Sequence, residues 1–207
     1  MCINSIPKYS CSNPPPSTIN CLNMSRWKEI NKFAIETNSK ILFGLNACYG
    51  RESSSTSMNF TNIEKLFEYT SNHTSSNDFN NLYGFEFGNE LNNDIEADIY
   101  AKDFNFVYNL LNSYSWNGLI NKPIMIGFDA LDNGQSWVSN VFKQLSTMTN
   151  GNLSATMSLF TYHHYPQCYY PNGDISVYSM NCLSSIPNLA KDYFDISSKS
   201  YGIPVCP

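Results

Sequence analysis

Tyr83-Gly84-Phe85-Glu86-Phe87-Gly88-Asn89-Glu90 is the stretch from which the fold can be read. Large side chains alternate through Phe87 with the period of a short strand, and Gly88-Asn89 then ends the extended run. Glu90 is left at the strand's exit. A carboxylate where a buried strand opens into a loop is partly desolvated and can still reach a ligand, which suits a general acid with a raised pKa. Gly, Asn and Glu are also ordinary turn residues, so the reading depends on what surrounds the stretch.

Upstream, Ile41-Leu42-Phe43-Gly44-Leu45 is continuously apolar, the pattern of a strand buried on both faces of a parallel sheet. Downstream, Ile124-Met125-Ile126-Gly127-Phe128 repeats it and ends at Asp129. Leu159-Phe160-Thr161-Tyr162 reads as a fourth strand running into His163-His164-Tyr165-Pro166, and Ile203-Pro204-Val205 begins a fifth. Helix signals fill the gaps. Ser25 is placed to cap a helix bearing Trp27, Ile30 and Ala34, and Thr61-Asn62-Ile63-Glu64 has the form of a capping box ahead of Leu66, Phe67 and Thr70. Tyr100, Phe104, Val107 and Leu111 mark the longest amphipathic helix and read as its core face, not as a sugar platform. Apolar residues from Trp137 to Met148, and then Ile186, Leu189, Tyr193 and Ile196, mark two more.

Strand centres thus recur roughly every 40 residues, each followed by a helix, with no hairpin signal between them. That alternation implies parallel strands joined by right-handed crossovers. A doubly wound sheet and an arc of a (β/α)8 barrel both fit. No glycine-rich phosphate fingerprint follows any strand, which disfavours the nucleotide-binding form. Polar residues gather instead at four successive strand ends: Asn46, Asn89-Glu90, Asp129 and His163-His164-Tyr165. In a barrel such ends meet on one rim, where active sites are built.

Composition narrows the function classes. The 207 residues are 42% hydrophobic and 14% charged, and carry a net charge of -5 with 12 scattered Lys and Arg. No basic stripe tracks a phosphate backbone, so nucleic acid is not an expected partner. No apolar run is long enough for a transmembrane span. Residues 1–20 read as an irregular segment rich in Cys and Pro, with Pro14-Pro15-Pro16 and no apolar core of a signal peptide. Seven cysteines and sequons at Asn23, Asn59, Asn72 and Asn152 nevertheless suit an oxidising, glycosylating compartment. A start upstream of Met1 reconciles the two.

The order and spacing of four motifs carry a resemblance. Cys21-Leu22-Asn23-Met24-Ser25-Arg26-Trp27, Phe43-Gly44-Leu45-Asn46-Ala47, Phe85-Glu86-Phe87-Gly88-Asn89-Glu90 and Thr161-Tyr162-His163-His164-Tyr165 resemble successive landmarks of the heparanase-type endo-β-glucuronidases. The resemblance implies a retaining glycoside hydrolase on a (β/α)8 barrel, acting on a glycan that contains β-linked glucuronic acid. By motif position, Glu90 is its acid/base, Asn89 and Asn46 line the sugar site, His164 shapes that site, and Tyr165 stands near the nucleophile. The chain would then be a partial TIM-type barrel over residues 21–207, about strands three to six with their helices. Secretion or a lysosomal location follows from the same likeness, and no cofactor or metal is implied.

A retaining pair needs a second carboxylate about 5 to 5.5 Å from the first. The family carries its nucleophile Glu at the end of the strand after His-His-Tyr, yet no Glu follows Glu96 in this chain. Asp129, Asp174 and Asp192 have the right type but lie on another strand end, a loop and a helix. Leu91 stands where the family usually has Pro. The expectation is therefore a hydrolase portion that is inactive alone and needs a complementary chain segment. The alternative is a non-catalytic carbohydrate-binding pseudoenzyme.

Other residues read more plainly. Adjacent His163 and His164 point to opposite faces of a strand and leave only His73 as a third imidazole, a poor metal set. There is no nucleophile elbow of the G-x-S-x-G kind. Cys168 and Cys182 bracket one loop and could pair. Tyr165, Tyr169 and Tyr170 could stack on sugars. Arg51 could meet a uronate but reads better as a solvated loop charge. The scarcity of basic residues favours weakly sulfated glycans.

Overall fold

The structure is a computed structural model that describes residues 22–74, 77–131, 134–163 and 186–206. Among the described residues five strands, β1 (Ile41–Leu45), β2 (Leu82–Phe87), β3 (Ile124–Ala130), β4 (Leu159–Tyr162) and β5 (Val205–Cys206), form one sheet in that order. Every neighbouring pair is parallel. Sequential order decides between the two architectures. A doubly wound sheet reverses direction at a switch point, whereas this sheet advances one strand at a time, as a barrel wall does.

The helices α1 (Met24–Glu36), α2 (Thr61–Asn72), α3 (Ala97–Ser113), α4 (Gln135–Met148) and α5 (Ile186–Phe194) alternate with the strands. They share one side of the sheet, as an aromatic layer shows. Trp27 of α1 packs on Phe43, Phe67 of α2 on Phe85, Tyr100 and Phe104 of α3 on Phe87 and Phe128, Phe142 of α4 on Phe128 and Phe160, and Tyr193 of α5 on Phe160. Right-handed crossovers that always step the same way require this. Phe67, Phe85, Phe87, Phe104, Phe128, Phe142 and Phe160 are essentially fully buried, each worth about 1.5–3 kcal/mol of transfer free energy. Tyr100, Phe104 and Val107 belong to this core.

The opposite face is the barrel's inner side. In β1, Leu42 is 41% exposed and Gly44 is exposed, so this strand is not buried on both faces as its apolar run suggested. It stands at the sheet's edge, and its covered residues are the alternate ones, Ile41, Phe43 and Leu45. Similar local reasons move other boundaries. The cap of α1 is Asn23, whose side chain accepts the Arg26 amide at 2.8 Å, so Ser25 lies within the helix. In α2, Asn59 Oδ1 takes the Thr61 amide at 3.0 Å, which makes Thr61 the first helical residue rather than a cap. β5 begins after Pro204, whose carbonyl accepts from the Phe160 amide at 2.9 Å but which has no N–H of its own to give.

Candidate active site

The inner face turns polar toward the carboxyl ends of β2, β3 and β4. Because Phe85 and Phe87 face the helices, Glu86 between them faces inward. It is only 8% exposed, with Gly44 of β1 and Ile126 of β3 as its register neighbours. Thr161 of β4 donates its hydroxyl to Glu86 Oε1, and Glu86 shares a further hydrogen bond with the Asp129 carboxyl. Burial is the largest cause raising the Glu86 pKa from 4.5 to about 7, and the bond to Asp129 adds to it. Thr161 and His163 pull the other way.

Asp129 reaches this position where the β3–β4 register shifts between Gly127 and Ala130, and its own φ is +47°. Its amide donates to Thr161 Oγ1 at 3.1 Å. The chain beyond β2 makes a similar turn. Gly88 has φ +88°, and a Cβ there would lie 2.6 Å from Leu91 Cδ1, so only glycine fits without a shift. Glu90 follows in the left-handed region at φ 56°, ψ 37°, and its amide donates to the Asp129 carbonyl at 2.8 Å. Glu90 and Asp129 thus both sit on backbone conformations that non-glycine residues rarely adopt, as at many ligand sites.

Above this pair lies His163. Its amide donates to the Ala130 carbonyl at 2.8 Å. Its Nδ1 is 2.7 Å from Glu90 Oε1 and its Nε2 is 3.4 Å from Asp129 Oδ1. The side chains of Glu90 and His163 keep 27% and 33% of their surface exposed, so both can meet a ligand from the open end of the strands. Three carboxyl groups and one imidazole, drawn from three neighbouring strands, can hold and pass a proton there.

Glu90 stands at the strand exit that the sequence suggested, with Asn89 exposed beside it. Asn46 is at the end of β1, but its amide is engaged by its own loop. Its Oδ1 accepts from the amides of Cys48 and Tyr49, and its Nδ2 donates to the Tyr49 carbonyl. His164, Tyr165, Tyr169, Tyr170, Cys168, Cys182 and residues 1–20 lie outside the described residues. Glu86 is not singled out by the sequence, and His163 is named there at its strand end while the site role goes to its neighbour His164. A signal existed for His163: Phe160 and Tyr162 face α5, so the alternation puts Thr161 and His163 inside.

Arg51 is a correction. It is fully buried rather than solvated, and its Nη2 is 2.6 Å from Asp103 Oδ2 of α3. Nε and Nη1 donate to the carbonyls of Ala47 and Thr56 at 2.8 and 2.7 Å. A guanidinium so engaged ties the loop after β1 to α3 and does not reach a ligand. Burial still pushes the Asp103 carboxyl up, with Arg51 offsetting part of the effect.

With this geometry in view, comparison with known proteins gives a consistent answer. The sequence model of a family described as glycosyl hydrolase family 79, N-terminal domain, matches residues 17–168, which take in β1 to β4 and the whole cluster. A protein named heparanase-like protein 1, from Arabidopsis thaliana, is 30% identical over 111 residues, covering 51% of this chain and 20% of that protein. Heparanase-like protein 3 of the same plant is 39% identical over 61 residues, covering 27% of this chain and 11% of that protein. The chain therefore aligns with a fifth or less of the length of these relatives.

Proposed function

The chain belongs to glycosyl hydrolase family 79, and from that membership we propose that its strand ends form the proton-donor side of a retaining site for β-linked glucuronic acid in a glycan. Glu90 is the acid/base and Asn89 hydrogen-bonds the sugar beside the scissile bond. His164 and Tyr165 complete the sugar site. The observation that carries this reading is the placement of Glu90. Its carboxyl is part-exposed at the carboxyl end of β2, held against His163 and next to Asn89. A general acid must stay accessible to the departing oxygen yet be fixed in direction, and this geometry meets both needs.

Retention also needs a nucleophile carboxylate about 5 to 5.5 Å away. No Glu follows Glu96, so we assign the nucleophile to a complementary segment and read these 207 residues alone as inactive. Disulfide-bonded Cys48 and exposed sequon residues Asn23, Asn59, Asn72 and Asn152 support a glycoprotein that is secreted or lysosomal. Among the described residues no helix is long and apolar enough to cross a membrane.

A chromogenic aryl β-glucuronide tests the proposal. The chain alone should leave it intact. Turnover lost in Glu90→Gln would keep the acid/base role and overturn the incompleteness. Turnover indifferent to that substitution would overturn both.

A further inference from the structure

A single acid/base needs only one carboxyl, yet the inner face holds a continuous chain of polar contacts behind it. Glu90 meets His163 at 2.7 Å, His163 meets Asp129 at 3.4 Å, Asp129 bonds Glu86, and Glu86 bonds the Thr161 hydroxyl. The Asp129 amide returns to Thr161 Oγ1 at 3.1 Å and closes the far end. Three adjacent strands contribute, and the contacts run from a nearly buried carboxyl to a part-exposed one.

Two carboxyl groups in such contact do not both ionise without repulsion, and one proton between them is the stable arrangement. The hydrogen-bond roles then follow. Glu86 in its acid form donates to Asp129 and accepts from Thr161, which leaves the Asp129 carboxylate 3.4 Å from Nε2 of His163, a charge contact looser than the hydrogen bond between Nδ1 and Glu90. Nδ1 of the same ring faces Glu90 Oε1 at 2.7 Å, and one proton between them joins ring and carboxyl whichever of the two carries it.

We propose that Glu86 is a positioning residue for Glu90, acting through the proton it shares with Asp129 and through the imidazole of His163 that Asp129 holds. While the proton is shared, Asp129 carries one charge and keeps His163 turned toward Glu90. Once the proton leaves, Glu86 and Asp129 repel and part, which shifts the carboxyl that His163 rests against and with it the aim of the imidazole toward Glu90. The site is thus set in mildly acidic solution and released above neutrality. The consequence for catalysis rests on Glu90 being the proton donor, whereas the network itself does not.

Among the described residues, the titratable and charged groups around Glu86 are few. Asp129 comes from β3, His163 from the end of β4 and Glu90 from the end of β2. From α3, beyond the sheet, come Tyr100, whose hydroxyl donates to the Phe87 carbonyl, and Asp103, paired there with Arg51 of the loop after β1. β1 offers only Gly44. Among the described residues, Asp129 and His163 are the titratable side chains that shift the Glu86 carboxyl.

Carboxyl 13C and imidazole 15N signals of the intact chain, followed from pH 5 to 9, test the proposal. The expected result is a transition of the Glu86 carboxyl, centred at about 7, that is also seen in the Asp129 and His163 ring signals. Glu86→Gln should remove it from the Asp129 and His163 signals. Thr161→Val, which removes a bond to the ionised Glu86, should move it to higher pH and decides the matter should Glu86→Gln not fold. A His163 curve unchanged in Glu86→Gln, or unmoved in Thr161→Val, overturns the proposal. Failure of the glycosidase reading would show separately, as a β-glucuronide that moves no amide signals at residues 86–90, 129–131 and 161–163 while these titration curves stay intact.

Discussion

His163 Nδ1 and Glu90 Oε1 stand 2.7 Å apart, joining the exit of β4 to the exit of β2 across the intervening β3. The contact lies at the open end of the sheet, where both groups keep about a third or less of their surface in water. It ties the site to the fold, because a group fixed by neighbouring strands can be aimed more closely than one on a free loop.

Removing the imidazole should therefore be felt in stability as well as in the site. His163→Ala is expected to cost about 1 kcal/mol, modest because the pair is part-exposed. A double-mutant cycle with Glu90→Gln should show the two losses to be non-additive. Urea unfolding at pH 6 measures both.

Glu86 gives the fold a definite pH dependence. Its carboxyl is raised from 4.5 to about 7, so the folded state holds the proton more tightly than the unfolded chain. Stability is therefore full below about pH 4.5, falls as pH rises toward 7 and levels above it. The loss has an upper bound of about 3 kcal/mol. Glu86→Gln should remove that slope and be the more stable form at pH 8, as unfolding free energies at pH 5 and 8 would show.

The buried ion pair should respond asymmetrically. Arg51→Met leaves Asp103 buried without its cation, at an expected cost of about 3–5 kcal/mol. Adding Asp103→Leu should recover most of that loss. Thermal unfolding of the single and double variants measures the difference.

Two glycines, Gly44 within β1 and Gly88 just past β2, should behave in opposite ways. Gly88→Ala meets both a φ of +88° and the Leu91 side chain at 2.6 Å, so a loss of about 1–3 kcal/mol is expected. Gly44→Ala meets nothing within 4 Å and should stay within about 0.5 kcal/mol of the parent. Denaturant midpoints compare them.

Much of this architecture was legible because strand and helix periods are local. The apolar runs around Phe43, Phe85, Ile126 and Phe160 mark the strands, and the heptad-like spacing from Tyr100 to Leu111 marks α3. Partners distant in the chain were not legible. Glu86 and Thr161 meet across 75 residues, and alternation tells which face a side chain takes without naming what it finds there. Arg51 was misread for the same reason, since its carboxylate comes from a helix that no local pattern links to the loop. Leu42 and Gly44 show the reverse limit: an apolar run does not reveal whether its second face is covered.

The most direct measurement maps where a sugar binds. Amide chemical shifts of the chain, titrated with a β-glucuronide at pH 6, should move most at residues 86–90, 129–131 and 161–163, and the movement should weaken in Glu90→Gln. Saturable shifts confined to the helix side of the sheet, or none at these strand ends, would contradict a glycan site built around Glu90.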